Sequence, residues 1–168
     1  MGQRSSGESR DIVEQFLKSK DLVERIKGVE LLRERGDRGR LLALLYSDSW
    51  HVRERAAQVL ATFGELVENE ILPMLNEGYW YVRAAAAYVA GEIRSTRAVP
   101  TLLKLLHERN YTVRNEAARA LAKILSEHPD LYNDVDPEHR VLLENLLKAI
   151  KEFELLEAMR SARAHGSP

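Results

Sequence analysis

The sequence predicts an all-α fold: an α-solenoid, or α/α superhelix, of about four helix pairs with capping helices. Two observations carry this. WHVRERAAQVLATFGE from Trp50, WYVRAAAAYVAGEIRS from Trp80 and YTVRNEAARALAKILS from Tyr111 are near copies of one another, and their Val-Arg pairs (Val52-Arg53, Val82-Arg83, Val113-Arg114) step by 30 and 31 residues. A period of that size marks stacked units that each bury a face against the next. In addition, no segment shows the two-residue alternation of a half-buried strand.

Taken in order, residues 1–8 are Gly/Ser-rich and are expected to be a disordered tail. Ser9 is the expected N-cap of a capping helix over 9–18, with Ile12, Val13, Phe16 and Leu17 as its apolar stripe. A second helix runs from Asp21 to Arg35 and stops at Gly36. Helices are then expected at about 38–46, 50–63, 66–76, 80–94, 97–108 and 111–127, broken at Ser47-Asp48-Ser49, Gly78 and Asn110. Pro73 falls inside one of them, where it removes a backbone hydrogen bond and kinks the helix. A last helix starts after Asp136, with Pro137 at its first position, and runs to about Arg163. A disordered tail follows over 164–168.

The repeat reaches beyond its three clear copies. Leu41-Leu42-x-x-Leu45, Ile71-Leu72-x-x-Leu75 and Leu102-Leu103-x-x-Leu106 precede the repeating Val at a constant distance. Arg25, Gly28, Val29, Leu32 and Gly36 align with Arg53, Ala56, Ala57, Leu60 and Gly64. The units are therefore 20–46, 50–76, 80–108 and 111–151 of a single domain over 9–163. Leu72 and Leu103 are expected in the core, where truncation to Ala costs about 2–5 kcal/mol.

Composition narrows the function classes. At 45% hydrophobic and 30% charged, the chain is globular and not disordered. A net charge of −1 provides no global basic field for nucleic acid. The absence of cysteine removes disulfides, thiolate chemistry and Cys-based metal sites. No apolar run approaches the roughly 18 residues that span a bilayer, and MGQRSSGESR lacks the apolar core of a signal peptide. A cytoplasmic protein is expected.

The first helix of each unit divides into two sides. With Trp50 at zero and 100° per residue, Val52, Ala56, Val59, Leu60 and Phe63 fall between about 180 and 280°, the buried stripe. Trp50, His51, Glu54, Arg55 and Gln58 fall between about 0 and 140°, on the other side. The equivalent sets are Trp80, Tyr81, Ala84, Ala85 and Tyr88, then Tyr111, Thr112, Asn115, Glu116 and Arg119. Five of the eleven Trp, Tyr and Phe residues lie on this side, a composition suited to binding because rigid aromatics give contact area with few rotors. Trp50, Trp80 and Tyr111, at the helix starts, either face outward or pack between units; Tyr81 and Tyr88 are expected at the surface. The repeated Arg53, Arg83 and Arg114, with Arg25, border the core stripe and suit polar contacts between stacked units better than phosphate binding.

VRxxAAxxL, together with RAVPTLLKLL from Arg97 to Leu106, resembles the HEAT-like repeats of phycobilisome-lyase-type proteins and of artificial repeat libraries. The resemblance covers about residues 20–127. One departure is the Gly-Asp that ends the first helix of such units: it reads Gly36-Asp37 and Gly64-Glu65 here, but Arg94-Ser95 and Leu125-Ser126 later. In the resembling family the positions flanking Val-Arg vary and form the partner-binding face. Carried onto this chain, the resemblance implies a recognition surface of Trp50, His51, Arg55, Gln58, Trp80, Tyr81, Tyr88, Tyr111, Asn115 and Arg119. One enzyme family on such repeats binds iron through several His-Glu pairs, whereas this chain has one, His107-Glu108. No metal site, cofactor or catalytic residue is expected, and His107 reads as a solvated residue near a helix end.

The expected function is a non-catalytic module that binds another protein through the aromatic-rich face. An accessory subunit of an enzyme, such as a lyase-type complex, is the alternative. A DNA-binding role ranks third, because Glu54 and Glu116 offset Arg55 and Arg119. No membrane contact is expected, and an exposed end or the aromatic face leaves room for a homodimer.

Overall fold

The computed structural model describes residues 12–165, with side chains through residue 162. The expected Ser9 cap, the helix start at Arg10 and the N-terminal tail lie outside the described residues, as do residues 166–168. Every element among the described residues is helical. They group into two compact units, one through Phe63 and one from Gly64, so the boundary falls inside the second repeat of the sequence.

In the first unit, α1 (12–18) precedes α2 (Leu22–Glu34), α3 (Arg38–Ala43) and α4 (Trp50–Ala61). The Asp21 carboxylate caps α2 by accepting from Val23 N at 2.8 Å, and Asp37 caps α3 by accepting from Arg40 N at 3.1 Å. Gly36, at φ 64°, ends α2 in a left-handed turn in which Asp37 N donates to Leu32 O at 3.0 Å. Both α2 and α3 pack on α4. Val13, Val29, Leu32, Leu41, Leu45, Ala56 and Leu60 are fully buried between them.

In the second unit, a 3-10 turn (Gly64–Val67) leads into α5 (Glu68–Met74), followed by α6 (Trp80–Glu92), a 3-10 turn (Thr96–Ala98), α7 (Val99–Leu105) and α8 (Tyr111–Glu127). Then come α9 (Pro129–Asp134), α10 (Pro137–Ala149) and α11 (Phe153–His165). α5 packs on α6, α7 on α8, and α6 against α8. The last contact is so close that a Cβ on Gly91 would stand 2.7 Å from Ala120 Cα. α11 returns to pack on α8 and α9, closing this end.

Several expectations need correction. The single long C-terminal helix is two helices. Lys151 takes φ 62°, and Glu152 N donates to Leu147 O at 2.9 Å, the same left-handed stop that Gly36 makes. The second of them, α11, extends past the expected end at Arg163, through His165. Arg94, at φ 56° with Ser95 N donating to Ala90 O at 3.0 Å, ends α6 in this way too, so the Gly-Asp position keeps its backbone shape without its glycine. α9 was not foreseen; buried Tyr132 and Val135 anchor it. Pro73 lies in the last turn of α5, which ends at Met74 and not at 76.

In the core, Leu72 and Leu103 are half-buried; Ile71 and Leu102 hold the deep positions, with Leu75 and Leu106. Phe63 is half-buried, lying beyond the end of α4. Ala84, placed on the outer side by its angle, is buried, because α6 is enclosed nearly all round.

Candidate interaction surface

The first helices begin in a repeated way. Arg53 Nη1 donates to Ser47 O at 2.6 Å and Asp48 O at 3.1 Å. Arg83 Nη1 donates to Glu77 O at 2.7 Å and Gly78 O at 3.1 Å, and Arg114 Nη1 to Glu108 O at 2.9 Å. Each guanidinium thus satisfies carbonyls of the loop that enters its own helix. The column is structural, as its position beside the core stripe implied, and its polar contacts go to the loop that joins each repeat to the one before. Arg83 also pairs with Glu108 at 3.2 Å.

Bracing the loop fixes where each helix starts and therefore where its first side chain points. Trp50, Trp80 and Tyr111 open α4, α6 and α8 and are 55%, 43% and 69% exposed. They face outward. In the first unit the Trp50 and His51 rings lie 4.6 Å apart. In the second, Tyr79 stacks on Tyr81 at 5.4 Å, and Trp80 meets Tyr81 edge-on at 5.7 Å, so three aromatic side chains form one cluster at the start of α6. Tyr79, more than half exposed, was missed in the sequence because it precedes the Val-Arg frame by one more residue.

The aromatics expected at the surface with most reason are the more enclosed ones. Tyr81 and Tyr88 are half-buried, Tyr81 within the cluster and Tyr88 beneath Lys123, whose Nζ lies 5.8 Å from its ring centroid. Lys123 is also paired with Glu92.

Arg55 and Arg119, two polar members of the expected surface, are partly exposed and held in ion pairs. Arg55 Nε donates to Glu30 at 2.5 Å and its Nη1 to Gln58 Oε1 at 3.2 Å. The bond from Arg55 is the main cause holding the Glu30 carboxyl below its ordinary pKa. Arg119 donates to Glu116 at 2.6 Å and to Glu152 at 2.7 Å. Burial pushes the Glu116 carboxyl up, against the pull of Arg119. Asn115 is half-buried on the same helix, and His51 is exposed. The second unit thus gathers Trp80, Tyr81 and Tyr111 on adjacent helix starts of α6 and α8, while Arg119 and Tyr88 lie further along the same helices. Trp50, His51, Arg55 and Gln58 form a separate group on α4.

One pairing went unforeseen. His107, read from sequence as a solvated residue, lies beside His139, with 3.2 Å between their Nε2 atoms. Its only trace in sequence is a separation close to one repeat step.

Helix pairs with braced entries and an aromatic outer edge define an all-α repeat protein of the α-solenoid class. Over residues 68–150 the chain matches the family described as HEAT repeats. An uncharacterized phycocyanin operon protein Z from Pseudanabaena tenuis (strain PCC 7409) is 38% identical over 64 residues, 38% of this chain and 32% of that protein. The chain therefore matches about a third of that relative's length. Among solved structures, an engineered protein is similar over 95% of this chain and 79% of its own, with 21% identity and a TM-score of 0.53. Human deoxyhypusine hydroxylase aligns over 94% of this chain and 63% of its own, with 22% identity and a TM-score of 0.45.

Proposed function

We propose that this chain is a non-catalytic module that binds another protein through the aromatic side chains at the starts of its first helices. The observation that carries the reading is the outward position of Trp50, Trp80 and Tyr111 at one repeated place in three units. Large aromatics left in water at matched positions cost solubility and give the fold little, whereas Trp and Tyr are the side chains that dominate binding energy when a partner desolvates them. In the second unit the ion pairs of Arg119 with Glu116 and Glu152 hold a polar group further along α8 that needs no reordering on binding. These pairs, and that of Arg55 with Glu30, oppose a DNA-binding reading, since cations neutralised by Glu30, Glu116 and Glu152 release few counterions from phosphate.

The accessory-subunit reading has one observation in its favour: a relative named for a phycocyanin operon. It uses the same surface and differs only in the partner.

Immobilised wild-type protein is expected to retain a partner from a lysate of its source in moderate salt. The Trp80→Ala/Tyr111→Ala variant is expected to lose that partner, as removal of a hot-spot residue costs about 2 kcal/mol or more. Equal retention of the same partner by both would defeat the reading.

A further inference from the structure

Two histidines separated by 32 residues meet in the second unit. His107 lies in the turn after α7, and His139 lies in the first turn of α10. Their Nε2 atoms are 3.2 Å apart, with the rings edge to face at 88°. Behind His139 stands Asp136, the N-cap of α10. One of its carboxylate oxygens accepts from His139 N at 3.1 Å and the other from His139 Nδ1 at 2.6 Å. That second bond places the proton of a neutral His139 on Nδ1 and leaves the Nε2 lone pair directed away from Asp136, on the side of His107.

Two imidazole nitrogens this close share one proton or one cation. For a tetrahedral zinc ion with Zn–N of about 2.0–2.1 Å, two ligand nitrogens stand about 3.3 Å apart. The observed spacing is that bite, and a carboxylate that orients the distal ring nitrogen is the usual support of a ligating histidine. We propose that His107 and His139 bind a late first-row divalent cation, Zn2+ or Cu2+, through both Nε2 atoms, with Asp136 positioning His139. When the ion enters, it replaces the N–H···N bond between the rings. His107 then carries its proton on Nδ1, so both neutral rings face the metal. Imidazole nitrogen selects these ions over Mg2+ or Ca2+, which prefer oxygen.

Among the described residues no group of three or more His, Asp or Glu side chains is placed to hold an ion. The site is therefore a two-nitrogen chelate whose other positions are filled by water. It shares no residue with the aromatic surface, and its test is independent of the partner.

The metal-free full chain is titrated with zinc chloride by calorimetry, with magnesium chloride in parallel. The expected result is one zinc per chain and no magnesium binding. His107→Ala and His139→Ala each weaken zinc at least tenfold, and Asp136→Asn, which keeps a competent N-cap, weakens it about tenfold, the lower range for loss of such a supporting group. Circular dichroism of each variant checks that the helices persist. Undetectable zinc binding by the wild type overturns the proposal, as does wild-type affinity in both histidine variants, which would place the ion elsewhere.

Discussion

At Gly91 the backbone of α6 lies against α8 with no room for a side chain: an added Cβ would meet Ala120 Cα at 2.7 Å and Ala120 Cβ at 2.9 Å. Both neighbours belong to the helix itself and cannot swing aside. Gly91→Ala is expected to destabilise the protein by about 1–3 kcal/mol, as overpacking of a tight contact does, read from urea unfolding; a change below about 0.5 kcal/mol would mean that the helices separate at little cost. This close approach was half legible. The alanines from Ala84 to Ala87, with Ala90 and Gly91, announce a helix with small neighbours, but letters alone do not say which one touches. Arg94 and Lys151 were not legible at all. They adopt the left-handed turn that glycine serves at Gly36 and Gly64, and a residue with a Cβ gives no sign of it.

The elements follow the apolar spacing where they are long and lose it where they are short. α2, α4, α6 and α8 were legible because each carries several turns of buried stripe, from Val29 and Leu32 in α2 to Leu121 and Leu125 in α8. α9 has only six residues, too few to show a period, and owes its place to Tyr132 and Val135. Within the second helices the sequence expectation put Leu72 and Leu103 in the core, because two adjacent apolar residues both fit the helical spacing. The structure gives that place to Leu102, which is fully buried, over the half-buried Leu103. Leu102→Ala is accordingly expected to cost about 2–5 kcal/mol and Leu103→Ala less, by the same unfolding measurement. An equal or reversed pair would contradict this register of α7.

For the whole molecule, the repeat step was the most readable feature, and it foretells more than helices. Lys123 and Glu92 are 31 residues apart, Arg94 and Glu127 33, and Arg119 and Glu152 33, so side chains about one step apart become neighbours. The same rule brings His107 to His139. What the step could not tell is which outer side chains these contacts use up. Arg55, Gln58 and Arg119, expected as a polar binding face, are half-exposed and bonded to neighbours in their own units, whereas Trp50, Trp80 and Tyr111 stand clear at the helix starts. On the proposed function, stability rests on the letters that the repeats share and recognition on the aromatic side chains at the helix starts. The most direct test is the unfolding free energy of Trp80→Ala/Tyr111→Ala in urea. We expect it within about 0.5 kcal/mol of wild type, as for surface positions without a structural duty. A loss of about 2 kcal/mol or more, the scale of core truncation, would make these aromatics part of the packing and contradict the assignment.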